Sequence, residues 1–351
     1  MTTFDPDGVG LENGNLFGLP LDFDTAQIIV WGIPWEVTVS YGSGTAHGPH
    51  AILRESPQLD LYDFDNPLGW QQGIFLAGIP DFIQAKNDAL KVQAQKIIEY
   101  TSQGHALTDS PTLVAALTEI NQECRHLHQW VYAQAQAVLD QGKKLVLLGG
   151  DHSIPLGYLQ ALSEHHEQFG ILQIDAHSDL RQTYQGFEFS HASIMTNVLK
   201  LPQVTKLVQV GVRDVCRAEV ETVQQSQGRI VTYYDPDLKT QLYQGVTWHS
   251  LCQEIIQHLP QQVYISFDVD GLDPKLCPQT GTPVPGGLEL EAAFHLCRLI
   301  IQSDRSLIGF DICEVGNGIW DGNVGARILY KLCNLMGLSS NPNPSNNFHL
   351  Q

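Results

Sequence analysis

A chain of 351 residues is long for one domain but ordinary for a single large α/β unit, and 43% apolar residues supply a sizeable core. Acidic residues outnumber basic ones 38 to 19, giving a formal net charge of −19; nucleic acid and anionic membrane surfaces are therefore excluded as expected partners, and a small cationic ligand is mildly favoured, although acidity is also an ordinary solubility device. The start, Met1-Thr2-Thr3-Phe4-Asp5, carries no signal-peptide pattern, no apolar run reaches the roughly 20 residues of a membrane span, and seven scattered cysteines without a CxxC pair read as reduced thiols, so a cytoplasmic protein is expected.

Residues 1–20 are rich in Gly, Asp and Asn and read as an N-terminal arm. An apolar strand is predicted at 28–33, followed by a loop over 34–48 that holds Trp35, Tyr41 and several glycines. Pro49 then stands where a helix can begin. Residues 83–142 have a helical pattern, with amphipathic stretches at 89–100 and 111–139. Beyond them strands and helices alternate. The strands are near-continuous apolar runs at 145–148, 171–174, 207–212, 230–234, 263–267 and 307–312. Helices are predicted at 154–164, 193–199, 218–225, 249–258, 289–301 and 323–336. Strands buried on both faces that alternate with helices indicate a mostly parallel sheet covered on both sides, an α/β fold of one domain over 21–338. The polar, Pro-interrupted stretch 339–351 reads as a disordered tail.

Three clusters follow predicted strands: Gly149-Gly150-Asp151-His152-Ser153, Asp175-Ala176-His177-Ser178-Asp179, and Ser266-Phe267-Asp268-Val269-Asp270-Gly271-Leu272-Asp273-Pro274. A parallel sheet brings all three to its carboxyl edge, where ligands bind. Asp175, His177 and Asp179 alternate, as do Asp268 and Asp270, so on extended backbone each set projects one way. Alone, each cluster also fits a turn or a helix cap. Together, so many carboxylates beside imidazoles repel one another unless cations neutralise them. The mixed N/O set of His152, Asp175, His177, Asp179, Asp268 and Asp270 suits two divalent ions of the manganese kind. Two such ions roughly 3.5–4 Å apart share a hydroxide whose pKa is brought from about 15.7 towards 7, a nucleophile available at neutral pH.

These clusters, with the following Gly281-Thr282-Pro283-Val284-Pro285-Gly286-Gly287-Leu288, resemble the ureohydrolase (arginase/agmatinase) superfamily over about residues 28–338. The resemblance implies a three-layer α-β-α arginase-like fold and hydrolysis of a guanidino compound to urea and an amine. It implies two Mn²⁺ ions, with Ni²⁺ or Co²⁺ as alternatives, and a homo-oligomer, trimer or hexamer. By resemblance His152, Asp175, Asp179 and Asp268 hold one ion, and Asp175, His177, Asp268 and Asp270 the other. His191 matches a proton-shuttling histidine, and Glu314 the glutamate that pairs with the substrate guanidinium. Asp179 or His191 then passes a proton to the departing amine.

The segment from Asp179 to Ala192 looks more like agmatinases than arginases, which usually carry Asn where Arg181 stands. Agmatine, cleaved to putrescine and urea, is the expected substrate. Arg181 also suits a carboxylate tail, as in guanidinobutyrate or guanidinopropionate, or a structural ion pair. Thr282 and Trp320 complete the candidate substrate contacts. A Trp320 that walled the pocket would suit a small guanidine; it also fits simple packing under the next helix. Competing readings are a formimidoylglutamase-like enzyme that releases formamide, and a metal-binding scaffold. The scaffold is disfavoured because all six ligands, His191 and Glu314 are present.

Overall fold

A computed structural model describes residues 4–339; the expected tail lies, from residue 340 onward, outside them. Eight strands, β1 (Ile28–Ile33), β2 (Ile74–Gly78), β3 (Lys144–Gly149), β4 (Phe169–Ile174), β5 (Val204–Val212), β6 (Ile230–Tyr234), β7 (Gln262–Asp268) and β8 (Ser306–Cys313), form one sheet in the order β2-β1-β3-β8-β7-β4-β5-β6. Every neighbouring pair is parallel. The helices are α1 (Gly48–Glu55), α2 (Asp81–Ser102), α3 (Pro111–Leu139), α4 (Leu156–His165), α5 (Ile194–Val198), α6 (Arg217–Gln225), α7 (Asp235–Tyr243), α8 (Trp248–Gln257), α9 (Leu290–Gln302) and α10 (Ile319–Leu338).

Alternate strand side chains feed two separate cores, which is why the strands read as unbroken apolar runs. Val146 and Leu148 of β3, Leu172 and Ile174 of β4, and Val263, Ile265 and Phe267 of β7 pack with α1 and α7 to α10. Leu145, Leu147, Ile171 and Tyr264 face the other way, onto α2 to α5. The mostly parallel sheet of the sequence reading is thus an all-parallel one between two helical layers. Near the amino terminus Leu16, Phe17 and Leu19 are fully buried, and the Phe17 ring lies 4.9 Å from that of Tyr330 in α10.

Two elements escape the sequence patterns. β2 is an edge strand, mostly half-buried and bounded by Gly73 and Gly78, so it lacks a long apolar run. α7 has only Asp235 and Leu238 buried, too few to print a helical period. Elsewhere α3 spans the predicted 111–139, and α2 extends the predicted 89–100 by about two turns toward its amino end. Among the described residues no helix is long and apolar enough to cross a membrane, and all seven cysteines are free.

Candidate active site

The carboxyl ends of β3, β8, β7 and β4, adjacent in the sheet, deliver the expected residues to one place. His152 follows β3, Glu314 follows β8, Asp268 ends β7 and Asp175 follows β4. The turns are tight. A Cβ on Gly150 would stand 2.0 Å from the Trp35 carbonyl oxygen, so only glycine lets the chain pass from β3 to His152. Asp179 and Glu314 have φ of 54° and 64°. Non-glycine residues held in this left-handed region cost about 1–3 kcal/mol and concentrate at functional sites.

Nδ1 of His152 lies 3.0 Å from Oδ2 of Asp175, 3.0 Å from Oδ2 of Asp179 and 3.3 Å from Oδ2 of Asp268, yet it makes no hydrogen bond. Nδ1 of His177 lies 3.0 Å from Oδ2 of Asp270 and 3.6 Å from Oδ1 of Asp175. Two donor sets therefore touch through Asp175: His152, Asp175 and Asp179 in one, Asp175, His177 and Asp270 in the other. All are buried except His177, which stands at the cavity wall. A ring nitrogen aimed among three carboxylates is the geometry of ligands around a cation; without one, the same carboxylates raise the His152 imidazole well above its usual value against the effect of burial.

Electrostatics agree. Burial and the Asp175 charge push Asp179 up to about 8. Burial, Asp270 and Asp175 raise Asp268 well above the carboxylate range. Burial works against charge on His177, but Asp270 and Asp175 outweigh it and raise the imidazole to about 12. The cluster retains protons that cations would replace.

Polar residues on otherwise apolar strands lie in one register row beneath it: Gln209 opposite Gln173, Gln173 opposite Ser266, Ser266 opposite Asp311. Gln209 donates to Oε1 of Gln173 (2.7 Å), and Gln173 donates to Oδ2 of Asp175 (2.7 Å). Nε2 of His152 lies 2.8 Å from Oγ of Ser266, which donates to Asp311 (3.2 Å). A histidine whose second nitrogen is held this way keeps its tautomer and ring orientation. Cys313, Asp311 and His152 also approach one another, but burial and the Asp311 charge keep the Cys313 thiol protonated, hence a poor ligand. Asp151 is occupied by Ser153, whose N–H and hydroxyl both donate to its Oδ1.

On the substrate side, Oε1 of Glu314 accepts the His152 N–H (3.0 Å), while Oε2 is buried without a partner. Burial, with the charges of Asp151 and Asp270, raises this carboxyl well above its usual range. Glu314 lines a narrow recess with Tyr41, Gly42, His191, Gly281 and Thr282 that in this conformation has no room for a water molecule. The recess shares Ser40, His191 and Thr282 with a cavity of about 140 Å³ that also holds His177, Asp179, Arg181, Tyr184 and Asp214. Burial and the neighbouring His177 and His152 charges lower His191 to about 4, so its imidazole is neutral at pH 7. The Arg181 guanidinium stacks 4.9 Å over the Tyr184 ring, with no ion pair among the described residues. Thr282 donates to Oδ2 of Asp270 (3.3 Å). Trp320 is elsewhere. It opens α10, is 53% exposed, donates its indole N–H to the Lys275 carbonyl and lines neither space. Tyr184, Asp214, Gly281 and the wall at residues 39–42 belong to the site but carry no assigned role in the sequence reading. Asp214 was legible, since it follows β5 at the same sheet edge.

The family model described as the arginase family matches residues 26–333. The chain belongs to the arginase family. Within it the chain is similar to the N(1)-aminopropylagmatine ureohydrolase of Synechocystis sp., 28% identical over 318 residues and 90% of each chain. It is also similar to the agmatinase of Cronobacter sakazakii, 29% identical over 311 residues, 86% of this chain and 85% of that one. Among solved structures, the agmatine ureohydrolase of Thermoplasma volcanium superimposes with a TM-score of 0.71 at 22% identity, over 93% of this chain and 95% of that one, which shows the fold. The expected superfamily and three-layer α/β fold are both found. This arginase-family protein is a hydrolase acting on C–N bonds in linear amidines, a guanidino hydrolase of the agmatinase-like kind.

Proposed function

We propose that the protein hydrolyses a small guanidino compound to urea and an amine at a centre of two divalent cations. The observation that carries the proposal is the convergence of His152, Asp175, Asp179, Asp268, His177 and Asp270 beside the unpartnered Oε2 of Glu314. The residues fit such a centre: the orphaned Nδ1 of His152 and the crowded carboxylates want positive charge between them. His152, Asp175, Asp179 and Asp268 would hold one ion, and Asp175, His177, Asp268 and Asp270 the other. Manganese is the first choice for this donor set, with nickel or cobalt next. When bound, two such ions supply Lewis acidity that brings the pKa of water from about 15.7 towards 7.

The chain's own residues do the rest. Oε2 of Glu314, ionised against a guanidinium, accepts charge-assisted N–H bonds and fixes the planar group in the recess. The buried recess makes that pairing stronger than it would be in water. His191 is neutral at pH 7, with one N–H and one lone pair, so it can relay a proton to the leaving amine. Asp179, at the edge of the same cavity as His191, is the second group placed to carry that proton.

Agmatine is the first candidate, in line with the agmatinase-like relatives. A guanidino acid is the second, favoured by the unpaired Arg181 in the cavity. A homo-oligomer, trimer or hexamer, in the cytoplasm completes the reading; light scattering checks the assembly. The deciding experiment is urea release by Mn²⁺-loaded protein, repeated with Ni²⁺, across agmatine, 4-guanidinobutyrate, 3-guanidinopropionate, arginine and guanidine. One preferred compound is expected. No urea from any of them, with both ions verified bound, would refute the reading and move attention to formamide release from N-formimino-glutamate.

A further inference from the structure

The loop between β1 and α1 forms one wall of the recess that holds Glu314. Val39, Ser40, Tyr41 and Gly42 face it, and Gly42 donates its N–H to the Gly281 carbonyl (2.9 Å). A Cβ on Gly42 would come within 2.4 Å of that carbonyl oxygen, so the loop and the irregular segment holding Gly281 meet backbone to backbone. The loop has no regular structure of its own through residues 34–44, and something must hold it.

Glu36 does. It is 3% exposed, and its carboxylate closes the loop on itself. Oε2 accepts the N–H of Gly44 (2.8 Å), the hydroxyl of Thr45 (3.0 Å) and the N–H of Ala46 (3.1 Å), and Oε1 accepts the hydroxyl of Ser43 (3.2 Å). A buried carboxylate with four donors still needs a countercharge. It comes from α2: the Lys91 ammonium pairs with Oε1 and also donates to Ser43. One turn earlier on the same helix, Oδ1 of Asn87 accepts the Glu36 N–H (2.7 Å). Burial alone would raise the Glu36 carboxyl, but Lys91 and the loop amides outweigh it and hold it below its usual value.

We infer that Lys91 and Asn87 of α2 are positioning residues that, through Glu36, hold the 38–46 loop against Gly281 and so set the wall that receives the guanidinium-bearing substrate. The inference rests on the reading that Glu314 takes the guanidinium. It gives α2, for which the sequence suggested no function, a part in the reaction without any contact with substrate. Lys91 and Asn87 lie one turn apart on the helix, so both reach the same loop residue from one face.

The test uses the full-length Mn²⁺-loaded protein and the variants Lys91→Met, Lys91→Arg and Asn87→Ala. The first readout is hydrogen–deuterium exchange of the amides of residues 38–46, which needs no activity. Lys91→Met is expected to speed exchange at Gly44 and Ala46 at least tenfold while β3 is unchanged, and Lys91→Arg to restore most of the protection. The second is kinetics with agmatine and with 4-guanidinobutyrate. KM is expected to rise at least fivefold in Lys91→Met with kcat within about twofold and metal content unaltered; Asn87→Ala is expected to move the same way by less. Unchanged exchange in both Lys91→Met and Asn87→Ala overturns the inference. So does faster exchange with unchanged KM, or a fall in kcat that tracks metal loss. If the unmodified protein releases no urea from either compound, the parent reading fails, and exchange alone decides whether α2 holds the loop. Should Lys91→Met not fold, Ser43→Ala removes one donor to Glu36 and is read in the same way.

Discussion

A methyl group on Gly281 would stand 2.8 Å from Oε2 of Glu314, the buried oxygen left without a hydrogen-bond partner. The φ of Gly281 is not in the left-handed region, so its backbone accepts alanine without strain. Any side chain at 281 would therefore press directly on that oxygen. Gly281→Ala places a carbon where a guanidinium nitrogen would lie. KM for agmatine or 4-guanidinobutyrate is expected to rise at least tenfold, about 1.4 kcal/mol of binding, with metal content unchanged. Steady-state kinetics alongside elemental analysis checks this; an unaltered KM would place the guanidinium elsewhere.

The surroundings of Glu314 disfavour its charged form in the substrate-free fold. Its carboxyl is buried, faces the charges of Asp151 and Asp270, and is raised well above its usual range. A buried carboxylate beside like charges has no favourable partner until a cation arrives. Glu314→Gln keeps the shape and removes the charge. The substrate-free variant is expected to melt higher than the unmodified protein, while kcat/KM falls at least about 100-fold, the loss of roughly 2.7 kcal/mol of charge-assisted bonding. Both opposite shifts should be present in one preparation. A drop in melting temperature together with lost metal would instead make Glu314 a structural residue.

The protein stripped with a chelator should respond to pH in the sense opposite to most proteins. Asp179 titrates at about 8 in the fold, Asp268 and Glu314 are raised well above the carboxylate range, and His177 is raised to about 12. Between pH 6.5 and 8 the folded chain holds protons that these groups have lost in the unfolded chain. Stability changes with pH in proportion to unfolded minus folded proton count, so here it falls as pH rises. His191 and His128, lowered to about 4, act the other way mainly below pH 6.5 and fade above it, and the buried Lys144, lowered to about 8, opposes the trend near the top of the window, so these groups reduce the fall without cancelling the larger set of raised groups. The melting temperature of chelated protein is thus expected to drop by several degrees from pH 6.5 to 8. Added Mn²⁺ displaces the protons and should reverse the trend, binding more tightly as pH rises. A flat profile without metal would show that the cluster carries no excess protons.

The site was more legible in the sequence than the fold's margins. The convergence of the six expected ligands was visible because each cluster follows an apolar run, and a parallel sheet sends every such run to the same edge. Seven of the eight strands print that signal. β2 does not, being a half-buried edge strand of five residues. What positions the ligands was harder to see. Gln173, Gln209 and Asp311 interrupt apolar strands, a conspicuous cost unless they bond one another. Recognising that they share one row requires the register, which the sequence does not print. The Glu36–Lys91 pair spans 55 positions and shows no local pattern at all. Trp320, which the sequence left open between walling the pocket and simple packing, shows the converse limit. It stands six residues after Glu314, but as the second residue of α10 it turns out to solvent.

Arg181 is the residue by which the two proposed substrate classes, agmatine and a guanidino acid, can be told apart. It lines the cavity, stacks over Tyr184 and has no carboxylate partner among the described residues. Of the carboxylates beside it, Glu219 is committed to backbone donors and Asp214 is largely exposed. Both oxygens of Glu219 accept backbone N–H groups, from Leu180 (3.1 Å) and Cys216 (3.0 Å), and Oδ2 of Asp214 lies 4.0 Å from Nε2 of His177. An unpaired guanidinium favours a carboxylate through paired hydrogen bonds and repels an ammonium. Arg181→Ala is therefore expected to lower kcat/KM for 4-guanidinobutyrate at least about tenfold, about 1.4 kcal/mol, while guanidine, which has no tail, stays within about threefold. Agmatine, with an ammonium tail, should be unaffected or improved. Equal losses on all three compounds would mean that Arg181 only supports the Tyr184 wall, and a loss confined to agmatine would reverse the assignment of the cavity's charge.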